Sequence, residues 1–262
     1  YSKMYYEPHI TADGKQLIFL SNMEVEIGQK SSEDIWVVDR KGDSWSKPYN
    51  LGNPVNPDAN EFYPSTTKDS TLYFTRQEKG SQIHKIFRSR RVNGNYTEPE
   101  ELGPQVNCGK NRFNAFVDPD ERFIIVPATG MENTIGVTDY FIVFQDVKDN
   151  WSKRVNLGDK INTKNGREYS VSFSPDGKYF FFMSTCIPEY NFSKKNKLSL
   201  NLLRKLFVQP EYGNSNFYWV KSDFLMQLKN KTYYYFWVFF KRFKCFFYHN
   251  SSSSLLYIFS LY

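Results

Sequence analysis

Histidine and cysteine are scarce in this 262-residue chain, with three of each. His9, His84 and His249 stand far apart, and no His-x-x-x-His pair occurs, so the sequence holds no clustered imidazoles for a metal centre. Cys108, Cys186 and Cys245 are widely spaced and odd in number, which leaves neither a disulfide framework nor a Cys-x-x-Cys metal pair. Gly-x-Ser-x-Gly and the phosphate-binding P-loop are missing too. A serine triad would need one of the three histidines beside a Ser and an acid, and nothing in their spacing supplies it. The longest apolar run, Tyr233–Phe240, is cut short by Lys241-Arg242, far below the ~20 residues that a membrane-crossing helix requires. No catalytic residue, metal ligand or cofactor is therefore expected.

The formal net charge of +6 is a poor guide to partners, because it is unevenly placed. Residues 191–262 carry eleven Lys and Arg against Glu211 and Asp223, while residues 1–190 carry 23 basic and 26 acidic groups. The larger part of the chain is mildly acidic and has no basic stripe, so no nucleic-acid partner is expected.

What the sequence does have is a repeat. Trp45-Ser46-Lys47-Pro48-Tyr49-Asn50-Leu51-Gly52-Asn53-Pro54-Val55-Asn56 returns, without a gap, over residues 96–107 and 151–162. Each copy sets an aromatic (Trp45, Tyr96, Trp151) six positions before a Leu and an Asn (Asn56, Asn107, Asn162) five positions after it. A further aromatic follows, Phe62, Phe113 or Tyr169, and seven residues later an Asp: Asp69, Asp120 or Asp176. Tyr6 and Asp13 fit the same frame at the start of the chain. Each Asp opens a tight turn, because Asp can hydrogen-bond its own backbone and is followed by Gly in two of the four copies. Short runs rich in aromatic and β-branched residues come next, such as Leu17–Leu20 and Ile35–Val38, and they read as strands. Successive units are offset by 56, 51 and 56 residues. Four strands in about 50 residues make one blade of a β-propeller.

The Pro-Asp-Gly turn gives the repeat a family likeness. Ser174-Pro175-Asp176-Gly177-Lys178 is its clearest copy, and from Tyr6 to Lys229 the chain resembles the WD40-like repeats of TolB-type bacterial propellers. The resemblance implies an all-β propeller of four-stranded blades, in a periplasmic or extracellular protein. It is specific for fold and weak for function, since that family hosts binding, scaffolding and hydrolase-accessory roles. It also implies about six blades, so the four visible here are expected to be part of a larger, N-terminally longer propeller.

In chain order, the blades are expected at residues 1–56, 57–107, 108–162 and 163–229. The fourth carries an insertion over 185–216, with a short helix near Leu198–Phe207, where apolar residues fall at helical spacing. Its third strand is expected at Phe217–Val220, followed by a helical turn capped by Ser222. Residues 230–262 contain no acid, Gly or Pro, and fourteen of these 33 residues are aromatic. They are expected to lie outside the fold, and any membrane contact would come through them.

Variable loops on a rigid scaffold are where binding residues collect. The connections between second and third strands vary most: residues 21–34, 76–85, 127–139 and 185–216. The starts of the first strands line the channel mouth on that same face, at Tyr5, Glu61, Arg112 and Glu168, with Arg167 and Arg76 beside them. A ring of Glu and Arg there is the candidate site for a protein partner or a polar or glycan ligand. The expected function is a non-enzymatic, secreted or periplasmic propeller that binds on its loop-rich face. The alternative is a glycan-active propeller or the propeller half of a serine peptidase. Against the glycan alternative, the stretch nearest to a sialidase Asp-box, Asp39–Trp45, lacks its Ser and misplaces its Gly.

Overall fold

The computed structural model describes residues 3–25, 32–185, 199–207 and 215–229. Residues 1–221 form one compact unit, a four-bladed β-propeller. Every blade is an antiparallel sheet whose strands follow chain order outward from the hub. Blade one runs through Tyr5–Ile10, Gln16–Ser21 and Asp34–Lys41, then a fourth strand in two short pieces, Ser44–Trp45 and Tyr49–Asn50. Blade two repeats the order with Ala59–Thr66, Leu72–Glu78, His84–Ser89 and Glu100–Glu101. The first strand of blade three is split into Asn111–Arg112 and Phe116–Val117 and followed by Phe123–Thr129, Thr138–Phe144 and Val155–Asn156. Three strands of blade four are described: Glu168–Phe173, Tyr179–Ser184 and Asn216–Lys221. Within its insertion, Leu200–Phe207 is helical, and the Ser199 hydroxyl accepts from the Leu202 N–H at 3.1 Å. Residues 222–262 make a second unit, in which 223–229 are helical and the Leu225 N–H donates to the Ser222 carbonyl at 3.0 Å. The tail expected over 230–262 lies outside the described residues.

The repeated motif closes blades one to three through its asparagine. The Asn56 side chain accepts from the Ile35 N–H at 3.0 Å and donates to the Ile35 carbonyl at 2.9 Å. Asn107 does the same to Ile86 at 2.7 and 3.0 Å, and Asn162 to Tyr140 at 2.8 and 3.1 Å. The clamped residue is the first apolar one of each third strand. Its carbonyl also accepts the N–H of the motif Leu: Leu51, Leu102 and Leu157 at 3.2, 3.0 and 3.1 Å. The Asn N–H turns back to the carbonyl of Gly52, Gly103 or Gly158, at 2.8–2.9 Å. In between, Val55, Val106 and Ile161 are almost fully buried, each contributing about 1.5–3 kcal/mol by leaving water. The motif is thus a hydrogen-bonded plug that ties the fourth strand to the third.

The apolar core lies between sheets. Ile18, Leu20, Ile35 and Val37 pack on Leu72 and Phe74. On the other side of blade two, Tyr73 and Ile86 meet Ile124, Val126 and Val143. Period-two alternation in Leu72-Tyr73-Phe74 feeds both layers from one strand. Phe123, Phe173 and Phe180 continue the packing between blades three and four, with ring centres 5.3–5.8 Å apart. The turn after each first strand is built as its Asp requires: the residue that follows has positive φ, whether it is Gly14, Ser70, Glu121 or Gly177.

Removing the clamp leaves a buried N–H without a partner, which costs about 1–3 kcal/mol. Asn107→Ala should therefore lower the urea midpoint by the equivalent of about 2 kcal/mol at unchanged m-value. Asn95→Ala, in the exposed hairpin before Tyr96, should change stability by less than about 0.5 kcal/mol.

Candidate functional site

The mouth residues are spent on holding the fold. Glu61 faces Arg76 across the first two strands of blade two, and Arg76 Nε donates to Glu61 Oε1 at 2.8 Å. The pair is buried, with 0% and 7% of the two side chains exposed. Arg76 Nη2 also donates to the Val55 carbonyl at 2.8 Å, and the guanidinium sits 5.2 and 4.8 Å from the Phe74 and Phe87 ring centres. Arg112, in the matching place of blade three, donates to the carbonyls of Asn107 and Lys110, at 3.3 Å each. Glu168, in blade four, accepts from the Thr163 N–H and hydroxyl at 3.1 and 2.7 Å and from the Ser184 hydroxyl at 2.9 Å. In blades three and four, then, the charged group at the start of the first strand pins the loop that leads into it, and in blade two Glu61 does so through Arg76. Among the described residues these groups make no ion pair from one blade to another. Tyr5 and Arg167 are the exposed ones among the described mouth residues, and the Arg167 backbone N–H donates to the Thr185 hydroxyl at 3.0 Å.

Burial governs the protonation of these groups. It pushes Glu61 up to about 8, against the pull of Arg76, and raises Glu168 against its three hydrogen bonds. It also lowers Arg112. Glu61 Oε2, Glu168 Oε2 and Arg112 Nε are buried without a partner among the described residues.

Two residues further along the first strands lies a feature with no glycine to announce it. Glu7, Tyr63, Asn114 and Ser170 each follow the repeated aromatic, and all have left-handed backbones, with φ of 49, 48, 33 and 54°. In blades one, two and four the strand register slips at this residue, as it does in a β-bulge. Such φ values are costly for side chains larger than Gly, by about 1–3 kcal/mol each, and tend to be kept where a site needs them. Here the bulges gather at the hub. The Tyr63 N–H donates to Glu7 Oε2 at 2.6 Å, the Tyr63 hydroxyl to the Val171 carbonyl at 2.5 Å, and Asn114 Nδ2 to the Ser170 hydroxyl at 3.4 Å. Beside them, the Thr66 N–H donates to His9 Nε2 at 3.1 Å.

These strands surround a cavity of about 370 Å³, within the ~300–1,000 Å³ typical of small-molecule sites. Glu7, His9, Tyr63, Phe116, Ser170 and Ser172 line it. His9 Nε2 is engaged as an acceptor, so the ring proton sits on Nδ1, and burial lowers the imidazole to about 4. Glu7 is raised, first by burial and then by neighbouring Glu33, while the Tyr63 N–H opposes the shift. His9 is thus neutral, and its only lone pair is occupied. The sequence signal for this site was the variable residue after each repeated aromatic: Glu, Tyr, Asn and Ser.

No protein-family model matches the sequence, and no curated protein does. Solved structures with a similar fold include TolB from Acinetobacter baumannii, at 17% identity and a TM-score of 0.41 over 68% of this chain and 39% of that one. The periplasmic gluconolactonase of Pseudomonas aeruginosa is similar at 13% identity and a TM-score of 0.38, over 68% and 49%. A puromycin-hydrolysing peptidase of Mycobacterium tuberculosis follows at 9% identity and a TM-score of 0.43, over 70% and 34%. The chain therefore spans less than half the length of each. Among the described residues no helix is long and apolar enough to cross a membrane.

Arg76 offers a test of the buried mouth. Arg76→Met strands Glu61 and frees the Val55 carbonyl, and should cost about 3–5 kcal/mol at pH 8, the scale for breaking a buried pair. Glu61 has a folded pKa raised above its unfolded value, so its contribution is present at low pH and lost as pH rises toward 8. The penalty should accordingly shrink near pH 5, where a protonated Glu61 needs no counter-ion. Urea melts of both proteins at the two pH values measure the difference.

Proposed function

We propose that the protein is a non-enzymatic binding propeller, secreted or periplasmic, that takes a small polar ligand at its hub. The observation that carries this reading is the set of left-handed bulges at the hub, three of which, Glu7, Tyr63 and Ser170, line one cavity, while Asn114 bonds to the Ser170 hydroxyl beside it. Backbone strain repeated in four blades needs a return, and a shaped, polar cavity is one. Binding is favoured over catalysis by His9, because an imidazole whose free nitrogen already accepts the Thr66 N–H cannot take a proton from a substrate. Around it the hydroxyls of Ser170 and Ser172 and the Glu7 carboxylate supply hydrogen bonds, and Phe116 supplies an apolar wall. The loop-rich face, where Arg167 is exposed, is the second place at which a protein partner or an anionic group would dock.

A thermal-shift panel of sugars, amino acids and amines separates the two places. A hub ligand at one hundred times its Kd adds about 2.7 kcal/mol of stability. That shift should vanish in Ser172→Trp, which fills the cavity from an exposed position, and survive Arg167→Ala. The reverse pattern would move the site to the loop-rich face.

A further inference from the structure

The charge balance of the hub narrows the ligand, on the reading that the hub is the binding site. Among the described residues, Glu7 is the one acidic side chain that lines the cavity, and no Lys or Arg lines it. His9, the other titratable base there, is held neutral. Glu7 forms no ion pair among the described residues, and its hydrogen bond is the one from the Tyr63 N–H to Oε2. The charge of a second carboxylate, Glu33, raises it further. A half-buried carboxylate that feels a second acid and has no ion pair among the described residues is an expensive arrangement. The cavity also sets aromatic and proline surface beside that carboxylate: Tyr63, Phe116, Phe217, Pro8 and Pro64.

We propose that the hub ligand is a small organic cation of the alkylammonium class, with Glu7 as its counter-ion. The cation would supply the positive charge that the cavity lacks. Its alkyl groups would lie against the aromatic and proline walls, where the faces of aromatic rings attract an ammonium charge. The free oxygen of Glu7 and the hydroxyls of Ser170 and Ser172 would meet its polar end. An anionic ligand is disfavoured by the same balance, because it would bring a second negative charge to a site where no described residue supplies a cation. A neutral polyol would find hydrogen bonds there and leave the carboxylate uncompensated.

Choline and 3,3-dimethylbutan-1-ol have the same shape and differ in charge, so the pair reads the charge preference directly. Titration calorimetry on the full chain should show choline binding at least tenfold tighter than the alcohol. Glu7→Gln keeps an acceptor for the Tyr63 N–H and should abolish that preference, so that choline binds no tighter than the alcohol. Equal affinity for the two probes on the unaltered protein would overturn the proposal, whether or not the variant folds. So would a preference that survives Glu7→Gln, or an absence of binding by both probes at millimolar concentration. Binding of a neutral sugar that Ser172→Trp blocks, without binding of choline, would keep the hub as a site and reject the cation.

Discussion

One side-chain amide in each of the first three blades holds this propeller in phase. The motif asparagine satisfies the N–H and the carbonyl of a single residue in the third strand, and its own backbone N–H closes the turn behind it. Because Asn56, Asn107 and Asn162 stand at the same step of the repeat, the chain leaves each of these blades at the same height and enters the next first strand in the same register. Only then can four bulges, 51 to 56 residues apart in sequence, meet at one hub. Asparagine alone among small side chains offers a donor and an acceptor on one planar group, which explains why the motif ends on it.

Much of this was legible in the chain. The twelve-residue motif, the Asp turns and the alternating short strands are local chemistry, and they gave the order of strands in the blades. The motif aromatics do not open the outer strands as expected: Trp45 ends the short strand Ser44–Trp45, Tyr96 ends a hairpin ahead of the outer strand Glu100–Glu101, and Trp151 makes an isolated bridge to Gln145. The short helix of the insertion also follows from spacing. The use of the mouth charges was harder to read. Strand position puts Glu61, Arg112 and Glu168 at the channel mouth, but a side chain there is surrounded by the carbonyls and hydroxyls of the incoming loop. Arg76 and Arg112 turn to those carbonyls, and Glu168 turns to Thr163. That outcome depends on loop geometry, which no pattern of residue types encodes.

The hub was hidden for a different reason. Left-handed backbone is flagged in a sequence by glycine, and none of the four bulge residues is one. What marks them is variation: within a repeat that keeps its aromatic, the next residue changes from Glu to Tyr to Asn to Ser. A scaffold that holds position constant while side chains vary is how repeat proteins build asymmetric sites from near-identical units. Among the described residues, the resulting cavity is lined by serine hydroxyls, one carboxylate and one neutral imidazole.

The account stands or falls on the asparagine clamps, and amide hydrogen exchange reads them residue by residue. The N–H groups of Ile35, Ile86 and Tyr140 should be among the slowest in the protein and should exchange only with global unfolding, at a common free energy. Should these three amides exchange by local opening, while neighbouring strand amides stay protected, the clamps would not be what sets the blades in register.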